Sequence, residues 1–212
     1  MQAMPQQTKA TASRIRREAS NSFFIFVRFY PNYSGSAGKS NLSKKTPNCY
    51  IIWMEIRINT DEQDRLLGEL ESRTDAEALR MKRYLNMPDL SRTPGSPLCD
   101  IVERVKHVPS LAGLDVIEIP EIVPSAITFD LFDFPADHVA RSASDTYYAD
   151  DKNILRTHNT VSWYYYFNSP EIKAKYERGE NLGALCYGKV YRKDEIDRRH
   201  MNVFHQIDGW KI

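Results

Sequence analysis

Cysteine is scarce in this chain: Cys49, Cys99 and Cys186 lie far apart and form no CxxC pair. That excludes a disulfide framework and removes the usual signature of a zinc site, so reduced thiols and a cytoplasmic setting are the expectation. Long apolar runs are also missing. The best candidate, FFIFVRFY, is interrupted by Arg28 and closed by Pro31, well short of the roughly 18 residues a membrane helix needs, and it lacks the charge-free run and small-residue cleavage site of a signal peptide. No serine sits in a GxSxG turn and no GxxxxGK[ST] loop occurs, which leaves hydrolase and P-loop chemistry without their physical requirements. His200 and His205 differ by an odd number with no cysteine nearby, so a metal site is not expected.

Acid is missing from one region only. Residues 1 to 53 carry eight basic residues against the single acid Glu18, a net +7; by subtraction the remainder holds 21 basic and 27 acidic residues, a net −6. The first 53 residues show no helical or strand period around their two apolar bursts, Phe23 to Tyr30 and Tyr50 to Trp53, and read as a mostly disordered basic tail. Such an arm suits phosphate contacts on RNA. Alternatively the domain starts at Met54 and the tail is translated from upstream of the true start.

From Met54 the pattern becomes orderly. Thr60 with Gln63 and Thr74 with Glu77 resemble capping boxes, predicting a short helical appendage with helices over about 61–71 and 75–84, its apolar faces Leu66, Leu67, Leu70 and Ala76, Leu79, Met81, Leu85. Residues 87–97 hold three prolines and a glycine and read as a linker, so a second domain is expected over 94–212. Ser96 with Pro97 starts a helix running to about 108. A strand over about 115–119 stops at Pro120, as a strand at an edge or interface does. Residues 127–150 lack period, and Asp137, His138 and Arg141 read as local hydrogen-bond anchors. Thr157 or Asn159 is a candidate cap for the aromatic run from Trp163 to Phe167, and Ser169 with Pro170 starts a helix that Gly179 stops.

The chain's end, YGKVYRKDEIDRRHMNVFHQIDGWKI, reads as two strands around a polar loop. Alternation puts Phe204, Gln206 and Asp208 on one face and Val203, His205 and Ile207 on the other. A ring, an amide and a carboxylate in a row suit a ligand with a planar heterocycle and a cationic amine, and Arg192 offers a fork for phosphate. The same alternation also fits an ordinary solvated sheet face.

GKVYRKDEIDRRHMNVFHQIDG resembles motif 2 of the class II aminoacyl-tRNA synthetases in the form found in the phenylalanyl-tRNA synthetase alpha subunit. Upstream, ILRTH at 154–158 resembles that family's Leu-Arg-Thr-His signature, and VIEIPEIVPSAITFDLFDFPADHVAR at 116–141 resembles its motif 1 region. Asp145-Thr146-Tyr147 follows as the Asp-Thr-aromatic element. The resemblance covers about residues 96–212.

What the resemblance implies is an α+β fold: an antiparallel sheet with flanking helices, incomplete after motif 2. It implies an ATP-dependent ligase that forms phenylalanyl-adenylate and transfers the acyl group to tRNA(Phe), with Mg²⁺ accompanying ATP. Arg192 and His200 would be the catalytic pair; Arg192, Asp194, His200 and Phe204 would bind ATP; His158, Thr160, Gln206 and Asp208 would hold phenylalanine. A beta subunit and a second alpha subunit are the implied partners, in a heterotetramer, and the helix after Ser96 would help form a subunit interface. Asp194 and Asp208 stand where the family commonly has Glu, and Trp163 where it has Gln; the related family that charges tRNA with phosphoserine shares the architecture. Motif 3 is not in this sequence, so the segment alone is expected to lack ligase activity and to expose an unpaired strand over 206–212. The competing reading is a non-catalytic, synthetase-derived RNA-binding module using the basic arm with Arg198 and Arg199.

Overall fold

Two short helices open the well-defined part of the chain, each started by a side chain that satisfies an orphan amide. Thr60 Oγ1 accepts from the Gln63 amide at 3.2 Å to begin α1 (Asp61–Ser72), and Asp75, not Thr74, accepts from Ala78 at 2.9 Å to begin α2 (Ala76–Leu85). Gln63 does not close a capping box; its Oε1 accepts the Glu121 and Ile122 amides instead. The buried face comprises Leu66, Leu70, Ala78, Met81 and Tyr84, while Leu79, expected inside, is 53% exposed.

The computed structural model describes the strand Ile25–Phe29 and residues 54–212. A five-stranded mixed sheet forms the centre, in the order β1 (Ile25–Phe29), β7 (Val203–Lys211), β6 (Gly183–Tyr191), β3 (Asp115–Glu118), β2 (Glu55–Arg57). The antiparallel part is β1, β7 and β6; β3 and β2 join it in parallel. Three expectations change here. First, β3 is an interior strand rather than an edge. Second, the outer side of β7 is not bare, since residues 25–29 pair with 205–209; the tail read as disordered thus contains a strand, and the expectations for the rest of residues 1–53 lie outside the described residues. Third, β2 belongs to the main sheet, and the core of α1 and α2 is shared with Ile122, Tyr147, Leu155, Tyr191 and Val203. The helical segment therefore packs into the body of the fold rather than standing off as an appendage.

The remaining elements are α3 (Pro97–Lys106), capped by Ser96 as expected, a ribbon of β4 (Ile122–Pro124) and β5 (Asn153–Leu155), and α4 (Ser125–Phe129), α5 (Ser162–Asn168) and α6 (Pro170–Glu177). Helices α5 and α6 cover one sheet face, where Tyr166, Ile172 and Trp210 join Ile117, Ala184 and Cys186 in the main core. Helix α3 covers the other, with Val102 against Val116, Tyr187 and Ile207. Neither Thr157 nor Asn159 caps: the turn Asn159–Val161 that leads into α5 has no side-chain cap. The anchors in 127–150 are local as expected, with His138 Nδ1 accepting from the Ala140 amide and Arg141 donating to Asp130 Oδ1 and the Phe134 carbonyl. Among the described residues no helix is long and apolar enough to cross a membrane.

Gly188 sits in β6 at φ +150°, and a Cβ there would stand 2.5 Å from Nη2 of the buried Arg156. Gly188→Ala is expected to lower stability by about 2 kcal/mol or more, because φ there disfavours a side chain and the buried Arg156 is held by the Lys189 and Ile119 carbonyls it would have to leave. Denaturant titration of the two proteins checks it, with an unchanged midpoint as the contrary result.

Candidate functional site

The β6–β7 hairpin puts its alternation to use. The register pairs Val190 with Phe204, Gly188 with Gln206, Cys186 with Asp208 and Ala184 with Trp210, and residues directly opposite share a face. Phe204, Gln206 and Asp208 thus lie in one row toward α5, while Val203, His205 and Ile207 face α1, α2, α3 and the linker. At the end of the row the Arg192 guanidinium carbon lies 5.4 Å from the centre of the Phe204 ring, and its Nε donates to the Thr157 carbonyl at 3.1 Å.

The segment 157–162 closes over this row. Asn159 is locked to it twice: its amide donates to Gln206 Oε1 at 3.2 Å and its Nδ2 to the Gln206 carbonyl at 2.9 Å. That fixes Gln206 with its Nε2 unpartnered, alongside the unpartnered buried atoms Asn159 Oδ1, His158 Nδ1 and both Asp208 carboxyl oxygens. Buried polar groups are ordinarily satisfied, and leaving one unmade costs about 1–3 kcal/mol. Several on neighbouring side chains leave polar capacity here that no protein group satisfies.

Electrostatics sharpen this. Burial pushes the His158 imidazole down to about 4, with the Thr128 carbonyl opposing and the Arg192 charge assisting. The ring is neutral at pH 7, and with Nε2 3.3 Å from that carbonyl the proton belongs on Nε2 and the lone pair on the vacant Nδ1. Burial likewise pushes the Asp208 carboxyl up to about 6; the Thr160 hydroxyl and the Gly209 amide pull it down without reaching hydrogen-bonding geometry. These unpartnered atoms are mainly acceptors, plus one free amide donor. Aromatic rings pack nearby: Phe132 meets the His158 ring edge-on at 5.2 Å, and Trp163 lies 5.5 Å from Trp210.

Of the residues expected at a site, the structure gathers Arg192, Phe204, His158, Thr160, Gln206 and Asp208. Asp194 and His200 are not shown with them. Asp194 is in the loop between the strands, where its carbonyl accepts from Asn202, and His200 Nδ1 is 3.0 Å from Asp197. Sequence reasoning missed Asn159, which orients Gln206, although its place beside His158 was a signal. No group of three or more His, Cys, Asp or Glu able to hold a metal occurs among the described residues.

On the opposite face the Asp89 carboxyl lies 3.3 Å from His205 Nε2 and accepts from the Ser91 amide at 2.9 Å. Burial opposes its ionisation, but His205, Ser91 and Arg92 together hold it down at about 2. Its folded value lies below its unfolded one, so its contribution of about 2 kcal/mol is present above roughly pH 4 and lost as pH falls through 2. Asp89→Asn is expected to flatten the stability curve over that interval, as measured by thermal unfolding from pH 2 to 6; identical slopes would contradict it.

The geometry defines a class first: an α+β domain whose antiparallel hairpin carries a guanidinium over a ring at one end of a strand face and a buried acid further along it. Comparison with known proteins then gives the family. The sequence model of "tRNA synthetases class II core domain (F)" matches residues 84–212, more than half of the chain. The chain belongs to that family. It is 31% identical over 155 residues to the phenylalanine–tRNA ligase alpha subunit of Mycobacterium avium, covering 70% of this chain and 43% of the relative. It is also 31% identical over 195 residues to that of Fusobacterium nucleatum, covering 84% and 54%. The chain thus spans about half the length of these curated relatives. A solved pyrrolysyl-tRNA synthetase from Desulfitobacterium hafniense aligns with a TM-score of 0.42 and 19% identity, over 71% of this chain and 58% of the other.

Proposed function

We propose that this chain carries the motif 1 and motif 2 part of the amino-acid-activating site of a phenylalanine–tRNA ligase alpha subunit. The observation that carries the reading is the set of unpartnered buried atoms on His158, Asn159, Gln206 and Asp208, in a segment whose Thr157 carbonyl holds an arginine placed over a ring. Phe204 stacks on adenine and Arg192 takes the alpha-phosphate of ATP. Asp208, with Thr160 beside it, neutralises the ammonium of phenylalanine. Gln206 Nε2 and the His158 lone pair fix the orientation of its amine and carboxylate. Asp194 and His200 reach the adenine amino group and the ATP phosphates from the loop between the strands.

The carboxylate of phenylalanine attacks the alpha-phosphorus; the new oxygen–phosphorus bond forms as the bond to the bridging oxygen breaks, and pyrophosphate leaves with that electron pair. A hydroxyl of the terminal adenosine of tRNA(Phe) then displaces AMP from the acyl carbonyl. No protein nucleophile is required, so the chain contributes positioning and a cation where charge grows. Mg²⁺ would enter with ATP, bound mainly by its phosphates, and would supply further neutralisation of their charge. A second alpha subunit and two beta subunits complete the heterotetramer.

Calorimetric titration of the chain with a non-hydrolysable phenylalanyl-adenylate is the test. Binding competed by ATP and by phenylalanine, but not by O-phosphoserine, is expected. Salt-sensitive tRNA binding with no adenylate binding would instead establish the RNA-binding module, whose exposed Arg198 and Arg199 lie in the same loop.

A further inference from the structure

Lys189, like Arg156, is a buried cation among the described residues, and it faces away from the candidate site. Its Nζ donates to the Leu85 and Met87 carbonyls, both at 2.7 Å, at the C-terminal end of α2, and lies 3.3 Å from Glu121 Oε1. A helix C-terminus leaves carbonyls unpaired and concentrates partial negative charge, so a cation there satisfies both needs. Glu121 is held in turn by the Tyr191 hydroxyl at 2.7 Å. The backbone carbonyl of Lys189 accepts from Arg156 Nε at 2.8 Å, and Arg156 Nη1 donates to the Ile119 carbonyl at 2.8 Å. The residue after Arg156 is Thr157, whose carbonyl anchors Arg192. The contacts run without a gap from the end of α2, through Lys189 and Arg156, to the guanidinium over Phe204.

We infer that Lys189 is a positioning residue for Arg192, and that through it the α1–α2 pair helps set the phosphate-binding end of the site. This rests on the reading of Arg192 as the ATP contact. The amino-acid end is held separately, by Asn159 on Gln206, so the influence of Lys189 belongs to one end only. That asymmetry separates positioning from general support of the fold.

The test uses Lys189→Met and Lys189→Arg in the whole chain with three readouts: ATP affinity, phenylalanine affinity, and hydrogen exchange of the Arg192 Nε–H resonance, assigned by its loss in Arg192→Lys. Lys189→Met is expected to weaken ATP binding at least tenfold, leave phenylalanine binding within about twofold, and speed Arg192 Nε–H exchange at least tenfold; Lys189→Arg restores all three to within about threefold. Should Lys189→Met fail to fold, Glu121→Gln removes the countercharge at constant size, and the same ATP-selective loss of at least threefold is expected. Unchanged Nε–H exchange, or equal loss of both ligands, overturns the inference. If the parent chain binds no ATP while Arg192 exchange still follows Lys189, the role given to Arg192 fails and the positioning stands.

Discussion

Asp208→Asn is expected to raise the stability of the ligand-free protein by about 2 kcal/mol at pH 7 and to weaken phenylalanyl-adenylate binding at least a hundredfold. Both effects come from one carboxyl that burial holds at about 6. Its folded value lies above its unfolded one, so its favourable contribution is fully present below about pH 4 and lost as pH rises through 6. By neutral pH the folded chain bears the cost of a buried charge with no hydrogen-bonding partner, and asparagine removes that cost. A ligand ammonium reverses the account by satisfying the anion, and breaking such a buried pair costs about 3–5 kcal/mol. Urea titrations from pH 3 to 8 should show the two proteins equal at the acid end and separating between pH 4 and 6. Ligand affinity of the parent should fall as pH drops below 6, where the carboxyl must give up a proton to bind. A variant that is less stable at pH 7, or binds normally, contradicts the role given to Asp208.

Arg192→Ala is expected to reduce phenylalanine-dependent pyrophosphate exchange in the assembled ligase at least about a hundredfold, with phenylalanine affinity unchanged. Losing one pre-aimed charge-stabilising donor costs about 3–4 kcal/mol. The Arg192 side chain is pre-aimed in a specific sense: its Nε is held by the Thr157 carbonyl while its guanidinium lies by the Phe204 ring. Arg192→Lys keeps the charge but loses the fork, and is expected to recover only part of the rate. Near-normal exchange in Arg192→Ala would remove this residue from the mechanism.

Much of this site was legible because strand alternation is a strict rule. Once β7 is a strand, Phe204, Gln206 and Asp208 must share a face, and the loop before it brings Arg192 to the same side. Helix starts were legible wherever a polar residue precedes an apolar period, as at Thr60 and Ser96. Thr74 misled because Asp75, one residue later, is the cap instead, accepting from the Ala78 amide where a Thr74 cap would have taken that of Glu77. The place of β3 was illegible for a different reason: Pro120 ends a strand equally well in the interior or at an edge, since its missing donor lies beyond the last paired residue.

The sequence by itself determined the local elements, the two-faced hairpin and the family, because periodicity, caps and ordered motifs are properties of neighbouring residues. Tertiary structure alone decided that His158 is neutral and Asp208 is held near 6, since those values come from burial by segments far away in the chain. It decided too that Asn159 orients Gln206, that Lys189 closes the end of α2, and that residues 25–29 cover the outer edge of β7. Each of these is a contact between distant stretches, and no spacing along one stretch encodes what another will bring against it.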